Sequence, residues 1–456
     1  MNRRKFIPVA VGGAVVAAAG IGYLTRNYWS PGVPSPTTPS PTVLPTETPT
    51  PKPLKAAFDY SPKPKYILQD PNQAIDFKNL TEYSGNSKPA CQWGIANKSV
   101  SQDWNYSTKL EPGKHDVRLS VRDDKTNDWT SADIEVDEYD PSYAEKKFKT
   151  QIKGLVFGVG QPQFGHPTEN DSFIDESISI IRNELKCNGL KIEGFFDLKI
   201  KTAAERAIQL GFDQIVLGPR YVDQSWEAYV DSVRRFAPIA EELRLKSSAV
   251  IFQVGLELLL DSRAIFKEET YPLRWANAGK NLQKDPQCHS KLNRFVEELM
   301  DAARESFNGD LTYASAYWER IDWDRVKVPF ISATEYYDPN YAEGIAGSLQ
   351  ELKSEGKPVI VAEFGSCTYP GAWEHGGSGW SSSGIYDEEE QVRNIERYVN
   401  IFNGIGGLHA CYLYMFYQPK NPPNPAQEWS IVKLTEPNSG KFSRKKSFHK
   451  YASYIP

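Results

Sequence analysis

From about residue 150 onward, short apolar runs alternate with stretches whose apolar residues recur at helical spacing. Gly154–Gly160 reads as a buried strand, followed by a helix with Ile174, Ile178, Ile181 and Leu185 on one face. Gly189–Gly194 is the second strand, and Gly211 caps the helix after it. Phe212–Pro219 is the third, with Trp226, Tyr229, Val233, Phe236 and Ala240 on the next helix. Ser248–Leu258 is the fourth, ahead of a helix marked by Leu292, Phe295, Leu299 and Ala303. Leu311–Tyr317, Phe330–Tyr336, Pro358–Gly365 and His409–Tyr417 give the remaining four. Eight apolar strands alternating with amphipathic helices predict a (β/α)8 TIM barrel over residues 150–456. An open, doubly wound sheet is the competitor. It usually carries a Gly-rich phosphate turn after the first strand, and Gly158-Val159-Gly160-Gln161 lacks the third glycine.

Residues 54–140 follow a different rhythm. Ala74–Phe77, Cys91–Gly94 and His115–Val121 alternate with period two between turn residues, which predicts a small immunoglobulin-like β-sandwich. The order of pieces resembles a PKD-type domain. The matching pieces are Ala57–Pro62, Ile75–Phe77, Gln92–Gly94, Leu110–Val117 and Ser131–Val136. Where that family carries a Trp-aromatic-Gly-Asp-Gly turn, this chain has Trp93-Gly94-Ile95-Ala96-Asn97. The resemblance implies a cell-surface spacer, with contact to surface glycans or proteins as the alternative.

Residues 1–30 read as an export segment. Asn2-Arg3-Arg4-Lys5-Phe6 precedes an apolar run from Ile7 to Leu24, resembling a twin-arginine signal. Uncleaved, the run would serve as a membrane anchor, and its flanking charges favour an inside amino terminus. Residues 31–53 hold nine Pro and six Thr, the composition of an extended stalk of about 70 Å that is suited to O-glycosylation. The expectation is an extracytoplasmic protein, secreted or held at the cell surface.

Composition narrows the chemistry. With 53 Lys+Arg against 58 Asp+Glu, there is no basic field to collect nucleic acid. Six His without metal-ligand spacing argue against a metal-dependent hydrolase, and no organic cofactor is implied. The five Cys form no framework, and Cys187 and Cys411 sit in apolar patterns that suggest burial.

Barrel chemistry gathers at the carboxyl-terminal ends of the strands. Those ends read Glu193, Arg220, Glu257, Glu319, Glu335 and Glu363. Glu257 closes Phe252-Gln253-Val254-Gly255-Leu256, and Glu363 closes Val359-Ile360-Val361-Ala362. An acid ending an apolar run is costly to desolvate unless its charge is used. Two facing carboxyls about 5 Å apart can cleave a glycoside with retention, one as acid/base and the other as nucleophile. Glu319 and Glu335 are alternative acids.

The strand-seven phrase Ala362-Glu363-Phe364-Gly365 resembles that of the clan A glycoside hydrolases, the barrel group of cellulases, β-mannanases and β-galactosidases. The resemblance covers residues 150–456. It implies that Glu363 is the nucleophile and Glu257 the acid/base. It also implies that an aromatic after strand six, Tyr336 or Tyr337, hydrogen-bonds Glu363, and that Tyr414 lines the floor. Leu256 stands where the group usually carries Asn, and Lys191, Glu193 and Arg220 lie near a missing strand-two Arg. These departures keep open a barrel that binds glycans, or mediates adhesion, without turnover. The long segment after strand seven carries Trp373 and Trp380, flat faces on which sugar rings stack, and Trp318 and Trp226 are further subsite candidates. The expected partner is a polysaccharide or oligosaccharide.

Overall fold

A computed structural model describes residues 54–61, 74–83, 88–136, 143–160, 170–266, 270–338, 344–374, 385–418, 428–435 and 441–456. The export segment, the stalk and Trp380 lie outside them. The chain divides into two compact units.

The first unit holds two small sheets. Strands β1 (Phe58–Ser61), β2 (Ile75–Asn79) and β5 (Tyr106–Thr108) make one, in the order β1-β2-β5. The other runs β4-β3-β6-β7, from Lys98–Ser101, Ala90–Ile95, Gly113–Arg122 and Asn127–Val136. Val117, Leu119 and Val121 are buried while Arg118 and Arg122 face out, the period-two pattern of a half-buried sheet. The Trp93 ring packs 5.2 Å from Phe58 and 5.6 Å from Phe77, joining the two sheets. Ala96 and Asn97 both take positive φ (49° and 63°), so β3 and β4 close through a two-residue hairpin of the primed kind.

The second unit is the barrel. Its strands are β9 (Ile152–Val159), β10 (Gly189–Gly194), β11 (Gln214–Pro219), β12 (Val250–Leu256), β13 (Asp310–Ala316), β14 (Ile331–Thr334), β15 (Val359–Phe364) and β16 (Ala410–Leu413). All neighbours pair in parallel, and β16 closes onto β9. A doubly wound sheet is thereby excluded. Helices α1 (Asp171–Asn183), α2 (Asp197–Gln209), α3 (Trp226–Lys246), α6 (Cys288–Arg304), α7 (Trp323–Val326), α8 (Gly344–Ser354) and α9 (Glu388–Ile405) follow in alternation, with α10 (Lys446–Ala452) near the end. Between β12 and α6 the chain inserts a single turn, α4 (Leu258–Asp261), and a helix, α5 (Tyr271–Lys284).

Most strands are buried along their whole length, because helices cover one face and the barrel interior the other. Gly211, with φ +68°, follows α2 as its left-handed cap. Strands β17 (Val432–Leu434) and β18 (Phe442–Arg444) pair antiparallel ahead of α10, and terminal β19 (Tyr454–Ile455) pairs with β8 (Lys146–Lys147). All five cysteines are buried and free.

Two strands carry an extra residue near their carboxyl-terminal ends. On β15, Val361 pairs with Ala333 but Glu363, not Ala362, pairs with Thr334. The same slip appears against β16, where Val361 meets Cys411 and Phe364 meets Leu413. On β12, Gln253 to Leu256 spans three steps against two on β13. Such bulges re-aim the side chains that follow them.

Candidate active site

The bulge on β15 sets two successive residues, Ala362 and Glu363, on the barrel's inner side. Ala362 packs with Leu256 and Ala314, and Glu363 reaches Lys191 of β10 at 3.0 Å. Gly365 completes the motif. A Cβ there would collide with the Tyr414 carbonyl, so only glycine lets the end of β16 pass this close.

Glu363 is nearly buried and doubly engaged. Lys191 Nζ contacts one of its oxygens, and the Tyr336 hydroxyl donates to the other at 2.8 Å. Its backbone carbonyl accepts from Glu335 N at 2.8 Å. Burial drives the carboxyl upward from its ordinary range, Lys191 opposes that, and the negative Glu193 adds to it. Of the two aromatics open in the sequence reading, Tyr336 is the one on Glu363.

Glu257 follows β12 and adopts φ +42°, ψ +52°, a left-handed conformation unusual for Glu. That turn starts α4 directly, since the Glu257 carbonyl accepts from Leu260 N and Asp261 N. The side chain receives the Thr334 hydroxyl at 2.6 Å. Burial raises its pKa to about 6, with the Thr334 hydrogen bond pulling the other way. Glu257 and Glu363 are close enough that the charge of Glu257 raises Glu363.

The floor between them is a chain of alternating charge. Lys191 Nζ lies 2.6 Å from Glu193, whose far oxygen is 3.7 Å from Arg220. Arg220 forks onto Asp261 through Nε at 3.0 Å and Nη2 at 2.7 Å. Asp261 closes the turn that Glu257 opens. Arg274, fully buried on α5, donates to the Leu260 carbonyl at 2.6 Å and to the Asp261 carbonyl at 3.0 Å. The ion chain therefore runs from Glu363 to the segment carrying Glu257.

The other acids sit elsewhere. Glu319 accepts the Tyr313 hydroxyl at 2.6 Å and the Leu259 and Ala316 amides at 3.0 Å each. Tyr313 in turn accepts from Leu258 N, so Glu319 anchors the turn beneath Glu257. Glu335 is buried against Ser348 of α8 at 2.8 Å. Burial raises each of them to about 8.

Among the aromatics, Tyr414 lies with Tyr336 around Trp429, at 5.8 and 5.3 Å between ring centroids. Tyr414 also feels the charges of Glu363, Glu193 and Arg220. Tyr337 stacks on Trp373 at 4.5 Å, and Trp373 packs against Tyr398 of α9 at 5.0 Å. Trp318 lies edge-on to Tyr317 at 4.7 Å, beside the end of β13. Trp226 packs at a tilt against Phe295 of α6, 4.5 Å between ring centroids, and donates to Glu298, on the outer helical layer.

The sequence reading missed Asp261, Tyr271, Thr334 and Trp429. Tyr271 opens α5 with its hydroxyl beside Arg220. Only an acid and an aromatic following a strand-end Glu could have hinted at the first two. Among the described residues, no group of three or more His, Cys, Asp or Glu could hold a metal ion.

No protein-family model matches the chain, and no curated protein matches it significantly. Solved structures similar in fold include a GH113 beta-mannanase from Alicyclobacillus acidocaldarius. It is 18% identical, with a TM-score of 0.43, covering 66% of this chain and 96% of that one. A putative beta-galactosidase from Bacteroides fragilis is 12% identical (TM-score 0.47; 87% and 60% covered). The Parabacteroides merdae beta-glucuronidase is also 12% identical (TM-score 0.45; 88% and 52% covered).

Proposed function

We propose that the barrel is a retaining glycoside hydrolase acting on a polysaccharide or oligosaccharide. The observation that carries this reading is the placement of Glu257 and Glu363 at the ends of strands four and seven, each on a bulged strand and each held by its own hydroxyl donor. Glu257 in its protonated form donates to the leaving glycosidic oxygen while the Glu363 carboxylate attacks the anomeric carbon. Glu257 then takes a proton from the water that displaces Glu363, and the configuration is retained overall. Tyr336 orients the nucleophile and stabilises its charge. Tyr414 and Trp429 supply apolar ring surface beside it. Trp318 at the rim, with Trp373 and Trp380 on the strand-seven segment, supplies outer sugar contacts in this reading. No metal or organic cofactor enters it.

The setting belongs to the same proposal. A twin-arginine-like segment, a Pro/Thr stalk and a PKD-like β-domain would carry the barrel outside the cytoplasm, with the β-domain as spacer or glycan contact. No helix among the described residues is long and apolar enough to cross a membrane.

The test is a screen of β-glucans, mannans and galactans with wild type and Glu363→Gln. Hydrolysis by wild type and loss of at least about 1,000-fold in the variant are expected. Equal hydrolysis by both removes Glu363 from the mechanism. A second reading, a glycan binder without turnover, is favoured by Leu256, whose side chain packs into the layer with Ala314 and Ala362 and offers no polar contact to a sugar. Binding without hydrolysis would select it.

A further inference from the structure

The charged groups acting on Glu363 are Lys191 and Glu193 from β10 and Glu257 after β12, with Arg220 from β11 and Asp261 next in the ion chain beyond Glu193. The phenols of Tyr336 and Tyr414 adjoin Glu363, and that of Tyr271 adjoins Arg220. Two cations thus face four carboxyl groups. Arg220 is committed to Asp261 through a two-point contact and is 3.7 Å from Glu193. Lys191 is divided between Glu193 at 2.6 Å and Glu363 at 3.0 Å, nearer to the residue that is not the proposed nucleophile.

Glu193 is the anomaly in this arrangement. It is 1% exposed; its Oε1 meets the Lys191 ammonium at 2.6 Å, but its Oε2, 3.7 Å from Arg220, accepts no hydrogen bond. A buried carboxylate with unfilled lone pairs is expensive. Both carboxyls touch the same Lys191 ammonium, which sets them side by side. Two ionised carboxylates in that contact repel, whereas one proton between them makes a charge-assisted O–H···O⁻ bond and fills a lone pair of Glu193.

We propose that Glu193 is a positioning residue for the charge of Glu363: it takes the nearer share of Lys191 and holds a proton on the facing Glu363 carboxyl. Glu363 becomes a nucleophile in the minor form in which that proton has left to solvent while Glu257 keeps its own. The inference rests on the reading of Glu363 as nucleophile. Neutralising Glu193 returns Lys191 to Glu363 and removes the repulsion that favoured the proton, so Glu363 ionises at lower pH. Removing the Lys191 ammonium has the opposite sign.

The test follows the protonated-carboxyl stretch of full-length, 13C-glutamate-labelled protein by infrared titration. The Glu363 band is identified by its loss in Glu363→Gln. In wild type that band persists at about pH 7. In Glu193→Gln it should titrate at least about one pH unit lower, a tenfold change in proton affinity, and in Lys191→Met at least as far higher. The pH optimum of kcat/KM should move down in Glu193→Gln. Should that variant fail to fold, Glu193→Asp, whose shorter carboxyl withdraws from Glu363, is read in the same way. A Glu363 band already gone at neutral pH in wild type, or one titrating alike in wild type and variant, overturns the proposal. The infrared shift without any hydrolysis by wild type would sink the hydrolase reading and leave the shared proton standing. Hydrolysis lost in Glu363→Gln with no infrared shift would do the reverse.

Discussion

The Thr334 hydroxyl donates to Glu257 at 2.6 Å from the strand position that pairs with Glu363. One residue on β14 thus registers both carboxyls, its side chain on one and its backbone beside the other. Thr334→Val keeps the shape and removes the donor. That hydrogen bond stabilises the ionised Glu257, so its loss raises the Glu257 pKa further above about 6. The expected result is a Glu257-dependent limb of kcat/KM displaced to higher pH and a kcat lowered by about tenfold, with KM little changed. An unshifted limb in a folded variant would mean that the hydroxyl does not govern Glu257.

Tyr336→Phe removes the donor on the second oxygen of Glu363 while the ring keeps its packing on Trp429 at 5.3 Å. A nucleophile left with Lys191 alone should be less well aimed and less well stabilised as an anion. We expect kcat to fall by about 100-fold with thermal stability within about 1 kcal/mol of wild type. Rapid-quench measurement of the glycosyl-enzyme step checks this, because a purely structural role would change stability and leave that step intact.

Much of this site could be read from the chain, for a physical reason. Strands buried on both faces must be continuous apolar runs, so charges that end such runs stand out, and Glu193, Arg220, Glu257 and Glu363 were found that way. What could not be read is the pair of bulges, since one extra residue in Val359–Phe364 leaves the apolar pattern unbroken. The α4 turn was hidden for the same reason. Leu258, Leu259 and Leu260 continue the run of β12, and nothing local announces that Glu257 turns left-handed. Asp261 and Arg274 join the site only through contacts across the fold. Tyr337 and Trp373 show the converse limit, because a large aromatic in a loop reads the same whether it meets sugar or, as here, also packs on Tyr398.

Among the described residues, Arg220 is the partner that meets the Asp261 carboxylate at two points, and both residues are buried. Arg220→Leu leaves Asp261 uncompensated and weakens the turn that starts at Glu257. The expected cost is about 3–5 kcal/mol in chemical denaturation. Arg220→Leu combined with Asp261→Asn should recover more than half of it, because the buried charge goes with its partner. A double variant as unstable as the single one would show that the fork is not what holds α4.

Glu335 offers a test that does not depend on catalysis. It is 1% exposed at the end of β14, where the Ser348 hydroxyl donates to it at 2.8 Å. Burial raises its pKa from the ordinary 4.5 to about 8. An acid whose folded-state pKa is raised contributes its stability fully below the unfolded value, and that contribution fades as pH rises through the folded one. The barrel should therefore lose stability between about pH 5 and pH 8, and by a few kcal/mol at most from this group. Glu335→Gln retains an acceptor for Ser348 and cannot ionise, so its denaturation midpoint should be flatter across that range and higher than that of wild type at about pH 8. Parallel midpoint curves for the two proteins would show that Glu335 is ionised in the folded state.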